Sequence, residues 1–418
     1  MTTIELTIDA LGSGGDGLAK TAEGSRVIVP GALPGERVRA TIGKGARAEN
    51  VEILAASPDR VAPPCAHFGA CGGCSIQHLG AAAYAEWKAG LLREALNRVG
   101  LSPEIAPLRS IPPRTRRRAD LAAVNAASGV ALGFHRDGSA DIVDVTNCEV
   151  LSPVLAAALP GLRGVLREAL DASERVDLHL TATKEGIDVL ITGRLPDARI
   201  RAKLAEYARA ADIPRIAWRK NIRATPEIVV LRAVPHLDIS GVPVEPPPGA
   251  FLQAARESEA ILVEEIVAAI GKAKRVADLY AGLGTFTFPL NARVHAVEGN
   301  DPARLALDAA ARKAERAGRV TSETRDLERR PLTPPELEAY DAAIFDPPRE
   351  GAEAQARNFA RGRVPTVIGV SCNPVTFARD AKIMVEGGYK LERVVPVDQF
   401  LWTGHLELVA TFKKPRKR

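Results

Sequence analysis

Five cysteines in a chain of 418 residues fall into two settings, and each setting implies its own chemistry. Three crowd into Cys65-Ala-His-Phe-Gly-Ala-Cys71-Gly-Gly-Cys74, a CxxxxxCxxC run. The small residues around Cys71 let the backbone fold back tightly, so thiolates this near in sequence can face one centre. Such a donor set suits tetrahedral zinc or an iron–sulfur cluster. Cys148 is the spare thiol that can supply a fourth ligand, and His67 or His78 could instead complete a zinc site of three thiolates and one imidazole. Plain burial is the competing reading, and it weighs more for Cys148, which follows Val145-Thr-Asn, than for the trio. The spacing also departs from the CxxxCxxC of radical enzymes, so the cluster reads as structural or RNA-organising and not as the reaction centre.

The fifth thiol, Cys372, lies in Ser371-Cys-Asn-Pro374, between an apolar run at 364–371 and the start of a helix. A helix dipole there can lower a thiol pKa. Asp346-Pro-Pro-Arg349 is a rigid turn that pins a carboxylate, and His405-Leu-Glu407 opens the apolar run 408–412. Upstream stands Asp278-Leu-Tyr280-Ala-Gly282-Leu-Gly284-Thr285, a glycine loop after a strand-like run, with Glu298 ending the next such run where a carboxylate suits a ribose diol. The third glycine of the dinucleotide fingerprint is replaced by Thr287, which favours S-adenosylmethionine over a nicotinamide cofactor. Asp326, past the third strand, can reach an adenine amino group, and Gln253 stands at the entrance to this region. Taken singly, Glu407 reads equally as a surface carboxylate, while a merely packed thiol is the lesser reading of Cys372. Taken in this order they fit carbon methylation of a pyrimidine. Thiolate addition at C6 makes C5 nucleophilic, and a base must then remove the C5 proton so that the thiol can leave. Nitrogen methylation needs neither group.

The elements that must position these residues follow from pattern. At 44.4 kDa, with 46% hydrophobic and 26% charged residues, the chain is a multidomain globular protein. No stretch approaches a membrane span and no secretion signal is visible, so a cytoplasmic protein without a membrane partner is expected. Residues 4–54 alternate apolar and polar positions between glycine-rich turns, as in an oligonucleotide-binding type of barrel. A Pro/Gly-rich cysteine loop covers 58–80, and an amphipathic helix is predicted over 81–99 with Tyr84, Trp87, Leu91 and Ala95 on one face. From 116 to 245 short strands at 142–145, 176–180 and 186–191 mix with helices at 151–172 and 199–211. Residues 251–418 alternate helix and strand as a doubly wound sheet does: helices at 255–270 and 302–317, strands at 276–280, 294–298, 319–324, 340–345 and 364–371. The net charge is only +5, yet Arg114, Arg116, Arg117 and Arg118 cluster, and the chain ends Lys413-Lys-Pro-Arg-Lys-Arg418. Each run reads alone as a solvated segment, and in company with the other signals as phosphate contacts.

In these motifs, with Arg116-Arg117-Arg118 and Phe251-Leu-Gln253, the sequence resembles bacterial RNA uracil-5-methyltransferases that carry a TRAM domain and a [4Fe-4S] cluster and modify 23S rRNA. The resemblance implies a multidomain α/β protein: an OB-like TRAM barrel at 1–57, a small mixed central domain bearing the cluster from 58–80 and 111–248, and a Rossmann-like class I methyltransferase domain from 81–110 with 249–418. It implies Cys372 as nucleophile and Glu407 as base. Contacts to S-adenosylmethionine fall to Gln253, Tyr280, Thr285, Glu298, Asp326 and Asp346, and RNA contacts to Arg116, Arg117 and Arg118. Cluster ligation falls to Cys65, Cys71, Cys74 and Cys148. RNA is the implied partner, with rRNA ahead of tRNA, and a monomer is expected. A tRNA-directed enzyme usually lacks the barrel and cluster, and a non-catalytic RNA-binding iron–sulfur protein would not need the Cys372/Glu407 pair.

Overall fold

The structure is a computed structural model that describes residues 3–316 and 318–415. The last three residues of the basic tail, Arg416 to Arg418, and Ala317, the expected end of one helix, lie outside the described residues.

The first sheet is five-stranded and antiparallel. Thr3–Leu11 is its centre, flanked by Gly17–Lys20 with Arg26–Val29 on one side and by Arg37–Ile42 with Ala48–Ala55 on the other. A bridge between Ile28 and Arg47 brings the two edges together. Leu6, Ile8, Ala19, Val27, Val29, Val38 and Ala40 point inward by the two-residue alternation that the sequence shows. Gly17–Lys20 escaped that reading because the strand is short and half small: a Cβ on Gly17 would sit 2.9 Å from the Ala32 carbonyl oxygen.

The second sheet is seven-stranded, in the order 142–144, 129–135, 118–126, 175–183, 186–192, 215–219, 227–231. It is antiparallel except where Gly186–Thr192 pairs in parallel with Arg215–Arg219 across helix Ala198–Ala210. Helix Pro153–Ala169 lays Leu155, Leu159, Leu162 and Leu166 on it. Strands Arg118–Ala126 and Gly129–His135 were not legible in the sequence: four of the nine residues of the first are alanine and only one is β-branched, and its small side chains fill a tight sheet–helix layer instead. The hairpin of Leu237–Ile239 and Val242–Val244, expected in the central unit, packs instead with Leu283, Phe288 and Leu307 of the C-terminal unit.

The third sheet runs 320–324, 293–298, 275–279, 342–345, 366–371, 407–413, 390–398, 104–105. Its first five strands are parallel, and Glu407–Lys413 inserts antiparallel between Thr366–Ser371 and Lys390–Asp398. Helix Ala81–Arg98 joins this unit through Leu92, Ala95 and Leu96, and Glu104–Ile105 adds an edge to Lys390–Asp398. Its buried face carries Tyr84, Lys88, Leu92, Ala95 and Leu96, so Trp87 and Leu91 are only half-buried and a lysine takes a core place. Strand order reverses between 275–279 and 342–345, which opens a crevice at the carboxyl ends of both.

Candidate active site

That crevice is bounded first by the glycine loop. Tyr280 has φ +62°, a left-handed backbone that a tyrosine rarely adopts, and Gly284 has φ +92°. At Gly284 a Cβ would stand 2.6 Å from the Phe288 ring, so only glycine lets the loop close on the helix beneath it. The amide of Gly282 donates to Glu298 at 2.7 Å, and the amide of Asn300 donates to the other Glu298 oxygen at 2.7 Å. Thr285 lies half-buried in the same loop. Asp278, wholly buried at the strand's end, accepts from the Thr287 hydroxyl at 2.5 Å through one oxygen, while the other has no partner. Burial pushes its carboxyl up to about 7. Asp326 is exposed, held in a local turn by the amides of Glu328 and Arg329.

Pairing register sets the reacting groups. Ser371 pairs with Leu408 in the antiparallel ladder, so Cys372 and Glu407, one step further, face each other across adjacent strands. One Glu407 oxygen accepts from Gln399 at 2.9 Å, and the other is buried without a partner. Gln399 is a residue that motif reading missed. Its amide nitrogen also donates to Gln253 at 2.9 Å, and its carbonyl accepts from Ser258 at 2.7 Å and from the Ala254 amide at 3.2 Å. Gln253 in turn donates to Asp346 at 3.1 Å. Two glutamines therefore bridge two carboxyls, with every hydrogen-bonding position of the Gln399 side chain used. Burial and then the neighbouring Asp278 push Asp346 up to about 7, and burial and then Asp346 raise Glu407 well above the usual carboxylate range.

The Cys372 thiol departs from expectation. It stands one residue before Asn373, which caps helix Pro374–Glu386 by accepting from the Val375 amide at 3.0 Å. Yet its pKa is pushed up to about 11, by burial first and then by the charges of Glu407 and Asp346, against which Arg349 is the opposing cation. Burial, and after it the two adjacent carboxyls, outweigh the helix end. Asn373 and Thr376 donate to the Arg349 carbonyl, each at 3.0 Å, which ties the Asp346-Pro-Pro-Arg349 turn to the cysteine's helix.

The arginine run is not a solvated loop. Arg117 is buried, ion-paired to Glu259, and donates to the Gln253 carbonyl at 3.1 Å, so it braces the active site from within. Arg116 donates to the Arg118 carbonyl at 3.0 Å and lines the cysteine cavity. Arg118 lies 4.7 Å from the centre of the Phe251 ring, and Phe251 is 59% exposed beside Gln253.

Cys65, Cys71, Cys74 and Cys148 line one cavity with His67, Phe68 and Phe134; His78 does not line it. His67 has its Nε2 engaged by the Thr146 amide at 3.2 Å. Burial raises the thiols of Cys71 and Cys148 and pushes Cys74 up to about 12. Among the described residues no three His, Cys, Asp or Glu side chains form the ligand group of a single metal ion.

Five parallel strands in this order with an antiparallel strand inserted at the edge, a glycine loop and a carboxylate on the second strand are the architecture of S-adenosylmethionine-dependent methyltransferases, and the N-terminal barrel is of a type used to bind nucleic acid. Residues 1–48 match the TRAM domain family and residues 245–414 the tRNA (Uracil-5-)-methyltransferase family. The chain is 45% identical to an uncharacterized RNA methyltransferase of Caulobacter vibrioides, over 98% of this chain and 100% of the relative. It is 38% identical to the 23S rRNA (uracil(1939)-C(5))-methyltransferase RlmD of Chromohalobacter salexigens, over 99% of this chain and 90% of that protein. The fold is shared with the tRNA (uracil-54, C5)-methyltransferase of Pyrococcus abyssi, solved with S-adenosyl-L-homocysteine, at a TM-score of 0.75 and 23% identity over 98% of this chain and 100% of that one. The chain belongs to the RNA uracil-5-methyltransferase family and is an S-adenosylmethionine-dependent enzyme of that class. No helix among the described residues is long and apolar enough to cross a membrane.

Proposed function

We propose that the enzyme methylates C5 of a uridine in 23S rRNA through a covalent adduct at Cys372. The observation that carries this reading is the cross-strand placement of Cys372 opposite Glu407, whose free buried oxygen awaits a proton. The Cys372 thiolate adds to C6 of the ring, and the displaced electron pair makes C5 an enolate carbon. Bound S-adenosylmethionine supplies an electrophilic methyl group, which C5 takes. Glu407 then accepts the C5 proton, and the pair left behind expels the thiolate and restores the ring. Gln253 and Gln399 hold Asp346 and Glu407 in fixed relation while this happens. Glu298, Asp278, Tyr280 and Thr285 are assigned to the cofactor, with Asp326 at its adenine end. The exposed Phe251 beside Arg118 offers a face on which an unstacked base can lie. The rRNA target is favoured by the 23S rRNA relative, which aligns over nearly the whole chain.

RNA carrying 5-fluorouridine, incubated with S-adenosylmethionine, should yield a denaturation-stable adduct, because fluorine cannot leave as a proton does. Absence of the adduct with wild type, or its persistence in Cys372→Ala, would defeat the mechanism. Comparing methylated uridines in RNA from cells with and without the protein identifies the target.

The four clustered thiols are assigned to an iron–sulfur cluster. Both tetrahedral zinc and an iron–sulfur cluster take thiolate ligands. Four half-buried thiols around one cavity suit an iron–sulfur centre, whose positive charge would favour the thiolates. Anaerobically purified protein should then be coloured and lose its iron in Cys148→Ser; colourless protein with stoichiometric zinc would reverse the assignment.

A further inference from the structure

At the end of the third sheet away from the crevice, three arginines stand in a row on neighbouring strands. Arg275 pairs with Arg293 in the parallel ladder, and Arg319 precedes Val320 where Val294 pairs with it, so the three occupy one rung at the strand starts. With Lys274 they line a single groove, and all four are exposed. Adjacent strands lie about 4.8 Å apart, so the row sets like charges side by side, an arrangement that costs stability unless an anion answers it. Among the described residues none of the four makes an ion pair. Arg319 donates to the Asn291 side chain at 3.2 Å, and the one carboxylate in the groove, Asp341, accepts from the backbone amides of Lys274 and Arg275, each at 3.0 Å. Arginines nearby on the same unit are matched: Arg304 with Asp301 and Asp308, Arg325 with Glu323 and Glu336. The unmatched row is therefore a local feature and not the habit of an arginine-rich chain.

We propose that Arg275, Arg293, Arg319 and Lys274 form a second site for the RNA phosphate backbone. The proposal rests on RNA being the substrate. Strands of five or six residues put the groove roughly 17–20 Å from the crevice. Because the groove lies at the opposite end of the sheet from Cys372, a large folded RNA with a second arm is the ligand that engages both places at once. The groove then acts on affinity for large RNA and leaves the chemical step alone.

The test is the triple variant R275Q/R293Q/R319Q, with a melting temperature no lower than wild type as the control for folding. Binding of a large-subunit rRNA transcript is measured across a salt series, and adduct formation with a short 5-fluorouridine hairpin is measured in parallel. For the long transcript, the slope of log affinity against log salt should become shallower by about 2–3, the loss of three phosphate contacts, while hairpin adduct yield stays at the wild-type level. An unchanged slope and affinity for the transcript would overturn the proposal and leave the row to an acidic protein partner or to solvent. A wild-type protein that forms no hairpin adduct would count against the Cys372 mechanism, and the salt slopes would still decide the groove.

Discussion

Asp278, Asp346 and Glu407 are gathered in one crevice, and among the described residues none of them is ion-paired. Burial, and after it the repulsion of neighbouring carboxylates, raises their pKa values. As pH rises through about 7, Asp278 and Asp346 ionise, Glu407 gains capacity as a base and the Cys372 thiolate fraction grows. The value of kcat/KM should therefore climb between about pH 6 and pH 9; a flat or falling profile would contradict the assignment. Stability should run the other way. A carboxyl whose folded pKa is raised to about 7 from 3.8 binds more protons folded than unfolded in that interval, so stability falls as pH rises through it. Asp278→Asn should melt higher than wild type at pH 8 without cofactor, and should bind S-adenosylmethionine more weakly. Glu407→Gln should slow turnover by about 100-fold or more and accumulate a methylated covalent complex; normal turnover would place the base elsewhere.

Among the elements, the segment between Lys390–Asp398 and Glu407–Lys413 does the most with the least regular structure. Helix Ala81–Arg98 grips it from outside: Lys88 pairs with Asp398 at 2.7 Å, both fully buried, and donates to the carbonyls of Phe400 and His405. Tyr84 donates to Asp398 at 2.7 Å and accepts from the Trp402 amide at 2.8 Å. Asp398 directly precedes Gln399, so this clamp fixes the residue that orients Glu407. Lys88→Met strands a buried carboxylate and should cost about 3–5 kcal/mol. The double variant K88M/D398L should regain much of that stability but not the activity, and should accumulate the same methylated adduct as Glu407→Gln. Restored turnover in the double variant would show that the clamp only holds the fold.

For the whole molecule, the same segment is where the parts meet. The amides of Ser75 and Ile76 donate to the Trp402 carbonyl at 2.8 and 3.1 Å, and the Trp87 indole donates to the Gly12 carbonyl at 3.3 Å, so cysteine loop and barrel both abut the active-site edge. A Cβ on Gly404 would lie 1.9 Å from the Ser13 carbonyl oxygen. Gly404→Ala should thus loosen barrel docking by about 1–3 kcal/mol, which limited proteolysis after the barrel would detect, and should weaken RNA binding while cofactor affinity stays near wild type. Equal protease resistance in the two proteins would mean that the contact yields without separating.

Chemistry was readable in the chain because its motifs are local. Ser371-Cys-Asn-Pro374, the glycine loop and the Asp346 turn each place a polar group at the end of a strand, and that placement depends on a few consecutive residues. Helix and strand periods likewise revealed the barrel and the doubly wound sheet. Gln399, the core position of Lys88 and the inward turn of Arg117 were not readable. Each depends on a partner far along the chain: Gln253 is 146 residues from Gln399, Asp398 is 310 from Lys88, and Glu259 is 142 from Arg117. Lysine and arginine are exposed unless paired, so a pattern that ignores distant partners puts them in solvent. The raised pKa of Cys372 was unreadable for the same reason, since its helix end is written nearby but the burial and the two carboxyls that outweigh it arrive only when the strands close.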